Sequence, residues 1–149
     1  YSQLFYRAYG LPTTCLRYFN VYGPRQNPDG DYAAVIPKFA QRMKAGQPPI
    51  IYGDGSQTRD FVHVSDIVRA NLLACDRDEA IGQIFNVASG RATPLLDLVE
   101  ALNRLRAAPL EPIFEPARAG DIRNSVGSSE RIAAALGFKI ETPLAIGLA

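Results

Sequence analysis

The chain has little of what metal and redox sites are built from: its 149 residues include one histidine, His63, and two cysteines, Cys15 and Cys75. A lone histidine cannot assemble a metal cluster, and no C-x-x-C pair occurs. His63 therefore reads as a hydrogen-bonded structural residue, and both cysteines read as reduced, buried apolar side chains. Charge of one sign is also lacking. The 16 basic and 15 acidic side chains leave a net +1, which argues against nucleic acid or an anionic membrane as the main partner. A local basic cluster can still hold a small phosphate ligand. No stretch approaches the roughly 18 apolar residues of a membrane span, and no signal peptide is visible, although the sequence does not open with Met. G-x-S-x-G, Walker and G-x-G-x-x-G patterns are missing too, and no nucleophile–base pair can be assigned.

What is present alternates between strand-like and helix-like segments, which gives an α/β class. Residues 13–21 form an apolar, β-prone run that suits a buried parallel strand. The stretch "GPRQNPDGD" is a loop, and "AAVIPKFAQRMKAG" is a helix. Pro37 fits only its first turn, which sets the helix start near Ala34 to Ile36. "PPIIYGDG" gives a short strand and a tight turn, and "TRDFVHV" is extended. "VSDIVRANLLACD" is a helix with Ser65 as N-cap and Asp66 near its positive end. "GQIFNVAS" follows as a second fully buried strand. Thr93 caps the helix "TPLLDLVEALNRL" with Pro94 at N1, "PIFEPA" is a short strand, and Gly137 closes "SSERIAAALGF". Both ends look cut. "YSQLFYRAYG" is a helix tail with no N-cap, and "TPLAIGLA" opens a helix, Thr142 capping and Pro143 at N1, that stops after about two turns. The expectation is a fragment of a longer chain.

A few polar groups sit where apolar residues would be expected. Asn20 interrupts the first apolar run, and a buried Asn left without partners costs about 1–3 kcal/mol. Arg59 stands at the start of an apolar strand, and "RAGD" places Arg118 and Asp121 three residues apart.

The segments "LRYFNVYGPRQ", "YGDGSQTRDFVHVSDIVRA", "FNVASG" and "RAGDIRNSVGSSERIAAALGF" together resemble the C-terminal half of nucleotide-sugar epimerases and dehydratases of the extended short-chain dehydrogenase/reductase family. The likeness spans nearly the whole chain and is strongest to 4-epimerases of UDP-hexoses and UDP-N-acetylhexosamines. It implies that residues 1–149 are the C-terminal part of a Rossmann-like parallel sheet plus a small α/β substrate-binding domain. Family members bind NAD through a glycine-rich βαβ unit and carry a catalytic Tyr-x-x-x-Lys; neither occurs in this sequence. The implied reaction of an intact enzyme is a transient oxidation at sugar C4, through a 4-keto sugar, with NAD as hydride acceptor.

By resemblance, Phe19 lies near the nicotinamide and is the one cofactor contact. Asn20 hydrogen-bonds the nucleotide-sugar, while Arg17 and Tyr22 are structural. Ala34 and Val35 begin a helix whose free N–H groups meet the diphosphate, through backbone alone because the family often has Asn at the Ala34 position. Tyr52 flanks the uracil ring. Arg59 and Arg118 hold the diphosphate, Asp121 accepts from ribose hydroxyls, and the small Ser125 leaves room for an N-acetyl group. No catalytic residue and no metal site are expected in this chain, which by itself is expected to be inactive. A homodimer, a cytoplasmic location and no contact with membrane or nucleic acid complete the implied picture. A 4,6-dehydratase or decarboxylase, or a non-catalytic nucleotide-sugar-binding module, remains compatible with the same residues.

Overall fold

A computed structural model describes residues 1–29 and 34–149. Gly30 and Asp31, at the end of the expected loop, and Ala33, in the stretch read as the next helix, lie outside the described residues.

Helix α1 (Ser2–Tyr9) ends at Gly10, and strands β1 (Cys15–Tyr18) and β2 (Asn20–Tyr22) follow. Next come α2 (Val35–Lys44), β3 (Ile50–Tyr52), β4 (Thr58–Arg59), β5 (Phe61–His63) and α3 (Val64–Asp76). The rest is β6 (Ile84–Val87), β7 (Thr93–Pro94), α4 (Leu95–Asn103), β8 (Ile113–Glu115), α5 (Glu130–Leu136) and the short α6 (Leu144–Gly147). β1 runs parallel to β6, β2 to β5 and β3 to β8, whereas β4 and β7 are antiparallel. The α/β expectation holds.

The single strand expected over residues 13–21 is two. Tyr18 pairs with Val87, Phe19 N–H still donates to Val87 O (3.1 Å), and Asn20 N–H already donates to Asp60 O (2.9 Å). The partner changes because β6 ends at Val87 and its continuation turns away to meet Asp60. Asn20 thus opens β2 rather than closing a strand. β1 is also less buried than expected: Leu16 packs on the core, but Arg17 and Tyr18 are exposed.

Two apolar clusters form the interior. The first joins α2 and α4 to β3 and β5 through Phe39, Met43, Ile51, Phe61, Leu98 and Val99. The second joins α3 and α5 to β5 and β6 through Val62, Ile67, Phe85, Val87, Ile132 and Phe138. Phe61 and Val62 serve opposite clusters because successive strand side chains point to opposite faces.

Two fully buried carboxylates tie loops to this frame. The Asp60 carboxylate accepts from Ser89 N–H (2.7 Å), Ser89 O–H (2.6 Å), Gly90 N–H (3.0 Å) and Gly127 N–H (3.1 Å). Asp66 accepts from Arg69 (2.6 Å) and from the amides of Glu141 (3.1 Å) and Thr142 (3.2 Å). Asp66 was expected only to face a helix end; it also secures a segment some 75 residues away.

Three expected caps move, one by two residues and two by one. α3 starts at Val64, so His63 is the N-cap and its Nδ1 accepts from Ser65 N–H (3.3 Å). Ser65, expected in that role, instead bonds Thr142 through its hydroxyl (3.0 Å). Pro94 and Pro143 hold the N-cap positions of α4 and α6, because each has extended φ/ψ and its threonine lies one step too early. Both cysteines are free, but neither is buried as expected: Cys15 is half-buried in β1 and Cys75 is exposed on α3.

The Asp60 cage gives a stability prediction. Asp60→Asn keeps the volume but turns an amide N–H toward backbone donors, and should lower unfolding free energy by on the order of 3 kcal/mol. An unfolding free energy from urea denaturation within about 0.5 kcal/mol of wild type would show the cage to be dispensable.

Tyr22, 2% exposed, supplies a second prediction. Burial, and then the negative charge of Asp66, push its phenol up from 10.0 to about 12. The folded chain therefore holds this proton to higher pH than the unfolded chain does. Stability from this group is fully present below pH 10 and is lost as pH rises toward 12, by up to about 3 kcal/mol. Tyr22→Phe should show a flatter decline over that range in alkaline urea titrations; identical slopes would refute the assignment.

Candidate functional site

The sequence places its polar exceptions at element ends, and the fold gathers most of them. A cleft of about 680 Å³ is lined by Asn20 from β2, Ala34, Val35 and Lys38 from the start of α2, Tyr52 from the end of β3, and Arg59 from β4. Arg118, Ala119, Gly120 and Asp121 close it from the far side.

Arg59 is held firmly. Its Nη1 donates to the carbonyls of Thr58 (2.8 Å) and Ile122 (2.5 Å), and its Nη2 donates to Asp121 Oδ1 (2.5 Å). The side chain is only 15% exposed, while Asp121 is 38% exposed. The pairing is local in its causes. β4 is fixed by β7 through Arg59↔Thr93, and the 122–125 segment is fixed by Thr58 N–H donating to Arg123 O (2.8 Å) and Ser125 N–H to Thr58 O (3.2 Å).

"RAGD" is a tight turn: Asp121 N–H donates to Arg118 O (3.2 Å) and Gly120 sits at φ +82°. That is the third position of a type II turn, which demands a positive φ and so a glycine. One turn therefore presents a cation at its start and a carboxylate at its end. The Arg118 guanidinium lies over the Tyr52 ring, 3.5 Å from its centroid. The approach follows from β3 and β8, where Tyr52 pairs with Glu115 and Gly53 N–H donates to Glu115 O (2.8 Å).

The α2 terminus adds backbone donors. Ala34 is extended (φ −63°, ψ 157°) and no side chain among the described residues caps the helix. Open N–H groups and the helix dipole favour an anion at such an end. Among the described residues, Lys38, Arg42, Arg59 and Arg118 share the lining with one carboxylate, that of Asp121, which leaves it positive. Among the described residues no cluster of histidine, cysteine and carboxylates could hold a metal ion. The turn at Gly53 to Gly55 stays outside the chemistry. There, hydrogen bonds from the Ser56 hydroxyl and amide, helped by Arg123, hold the exposed Asp54 carboxyl below its usual range.

Of the residues singled out from sequence, Asn20, Ala34, Val35, Tyr52, Arg59, Arg118 and Asp121 share this cleft; Phe19 and Ser125 do not line it. Phe19 packs on the second core cluster, its ring so close to Gly127 that a Cβ there would lie 2.5 Å from it. Ser125 sits beside the Thr58↔Asn124 bridge. Lys38 and Gln57 were missed. Lys38 follows Val35 by three residues on one helix face, a spacing that signals shared exposure. Buried Gln57, which donates to Tyr52 O (2.6 Å), carries no comparable mark in the sequence.

Comparison with known proteins identifies the family. Residues 1–88 match the family model described as NAD dependent epimerase/dehydratase family. The UDP-glucose 4-epimerase of Mycolicibacterium smegmatis is 39% identical over 149 residues, covering 100% of this chain and 47% of that protein. A crystal structure of the UDP-glucose 4-epimerase of Thermotoga maritima with UDP-glucose superposes with a TM-score of 0.92 at 41% identity, covering 98% of this chain and 46% of that one. The UDP-N-acetylglucosamine 4-epimerase of Methanobrevibacter ruminantium, in complex with UDP-N-acetylmuramic acid, gives a TM-score of 0.91 at 37% identity, with 98% and 46% covered. The chain spans about half the length of the relatives it matches. On sequence and fold together, it belongs to the NAD-dependent epimerase/dehydratase family.

Proposed function

We propose that this chain is the nucleotide-sugar-binding portion of a 4-epimerase acting on a UDP-hexose or UDP-N-acetylhexosamine. The observation that carries the proposal is that Arg59 and Arg118 line one cleft with the uncapped start of α2. A diphosphate brings about two negative charges, and two guanidinium groups plus helix N–H donors answer that charge in direction and number.

In this reading Arg59 and Arg118 grip the diphosphate, Ala34 and Val35 offer backbone donors to it, and Tyr52 flanks the base. Asp121, only partly used by Arg59, accepts from ribose hydroxyls. Asn20, whose side-chain amide has no hydrogen-bond partner among the described residues, addresses the sugar. Ser125 leaves space beside it. Anchoring the nucleotide while the sugar is free to turn is a positioning role, and it lowers the barrier by holding the reacting carbon in place.

NAD supplies the hydride-transfer capacity of this family when it is bound. The residues described do not form a dinucleotide cradle. Phe19, half-buried with one ring edge against Gly127, keeps its expected place as the one cofactor contact in this chain. We therefore assign no step on the cofactor to this chain, and none of its side chains a proton transfer. Full activity, and the homodimer the family resemblance implies, are assigned to the longer protein.

UDP binding by calorimetry tests the reading. Arg59→Ala, with its circular dichroism unchanged, should weaken UDP roughly ten- to hundredfold, the loss of about 1.5–3 kcal/mol from a charge-assisted contact. Equal affinity in the two proteins would end the proposal. The chain incubated with NAD and UDP-glucose should yield no UDP-galactose, and conversion above background would contradict the assigned role. In a full-length enzyme bearing this sequence, Ser125→Tyr should suppress turnover of UDP-N-acetylglucosamine far more than that of UDP-glucose; parallel losses would show that position 125 does not gate the sugar.

A further inference from the structure

The two arginines of the cleft are not held alike. Arg59 spends donors on two carbonyls and a carboxylate and is mostly covered. Arg118 is exposed, and among the described residues its guanidinium has no hydrogen-bond acceptor; its one contact of note is the face of Tyr52, at 3.5 Å. At that distance the planar guanidinium lies against the ring, on ground that a stacked base would need.

We infer that Arg118 is a displaceable cover on Tyr52, and that this makes the cleft selective for ligands carrying both a base and a diphosphate over nucleosides alone. The inference rests on the proposed reading of the cleft as a nucleotide-sugar site. Without a diphosphate, a base must displace the guanidinium and forfeit the cation–π contact. At a partly exposed site that contact is equivalent to about two- to fivefold in affinity. A diphosphate held by Arg59 and the start of α2 offers Arg118 charged oxygens, which bind a guanidinium more strongly than a ring face does. Arg118 then swings off Tyr52 and the ring face opens for the base. The turn that carries Arg118 allows this. Its anchor is the backbone bond from Asp121 N–H to Arg118 O and the pairing of Asp121 with Arg59, neither of which involves the Arg118 side chain. Diphosphate and base sites are thereby coupled, and the coupling must be reciprocal.

The experiment is a calorimetric titration of uridine, with and without saturating sodium pyrophosphate, on the wild-type chain and on Arg118→Ala and Arg118→Lys, with UDP titrated as a control. For the wild type, pyrophosphate should raise uridine affinity about two- to fivefold. In Arg118→Ala, uridine should bind that much better without pyrophosphate and gain nothing from it, while UDP binds more weakly. Arg118→Lys, which keeps the charge but not the plane, should behave like Arg118→Ala toward uridine and retain more of the UDP affinity. The Arg118 Nε–H resonance should also leave its ring-current-shifted position when pyrophosphate is added. If UDP binds but uridine and pyrophosphate are independent, or if Arg118→Ala weakens uridine as a base sandwiched between Tyr52 and Arg118 would require, the cover is refuted and the nucleotide-sugar reading stands. If UDP does not bind at all, both fall.

Discussion

The Asp60 carboxylate holds the architecture of this chain together. It is fully buried and faces no cation among the described residues; backbone amides and one hydroxyl satisfy it. That arrangement draws the chain after β6 and the chain before α5 onto one point beside β4 and β5. Because Arg59 precedes Asp60 directly, the position of the site cation is inherited from the cage. The switch of partner between Phe19 and Asn20 has the same origin: β6 bends away toward Asp60, so the first strand must continue along β5. A buried charge is costly to place and costlier to leave unpaired, so a fully satisfied one fixes its surroundings in a single arrangement.

From that frame the cleft is assembled out of ends: the start of β2, the start of α2, the end of β3, the short β4 and one tight turn. Apart from the first turns of α2, the short Gln57–Arg59 stretch and the turn itself, the elements that meet here are far apart in sequence. Each side chain is fixed by pairing of its own element, which is why a site with few mutual side-chain bonds can still be well defined. The bond from Arg59 to Asp121 is the exception, and it joins β4 to the turn that carries Arg118. Charge follows the same division. The whole chain is nearly neutral, yet the described lining of the cleft carries more basic than acidic side chains, and that surplus comes from placement rather than from composition.

Most of the elements were legible in the sequence because their periods and punctuation are strong. Gly137 ends its helix where expected, and Pro37 dates the start of α2 correctly. The arginines and Asp121 were legible through family motifs; nothing in their local pattern alone marked them as neighbours. Three things were not legible. The split of the first strand depends on a partner more than forty residues away, and no local signal records it. Asp60 and Asp66 look like ordinary acidic residues at strand and helix boundaries, and their burial is created by distant amides. The exposure of Arg17, Tyr18 and Cys75 reflects what covers each face in space, whereas an apolar run in sequence reports only that a face wants cover.

The bonds that define this fold join residues far apart along the polypeptide. Asp60 reaches Gly127 across 67 positions, Asp66 reaches Thr142 across 76, and the parallel pairs link early strands to late ones. Closing such large loops before any of these contacts can form is entropically uphill, and proteins dominated by distant pairings fold slowly for that reason. Folding of this chain therefore has no purely local nucleus among its strands. Much of its length must be brought together before the Asp60 cage and the cleft beside it can take shape.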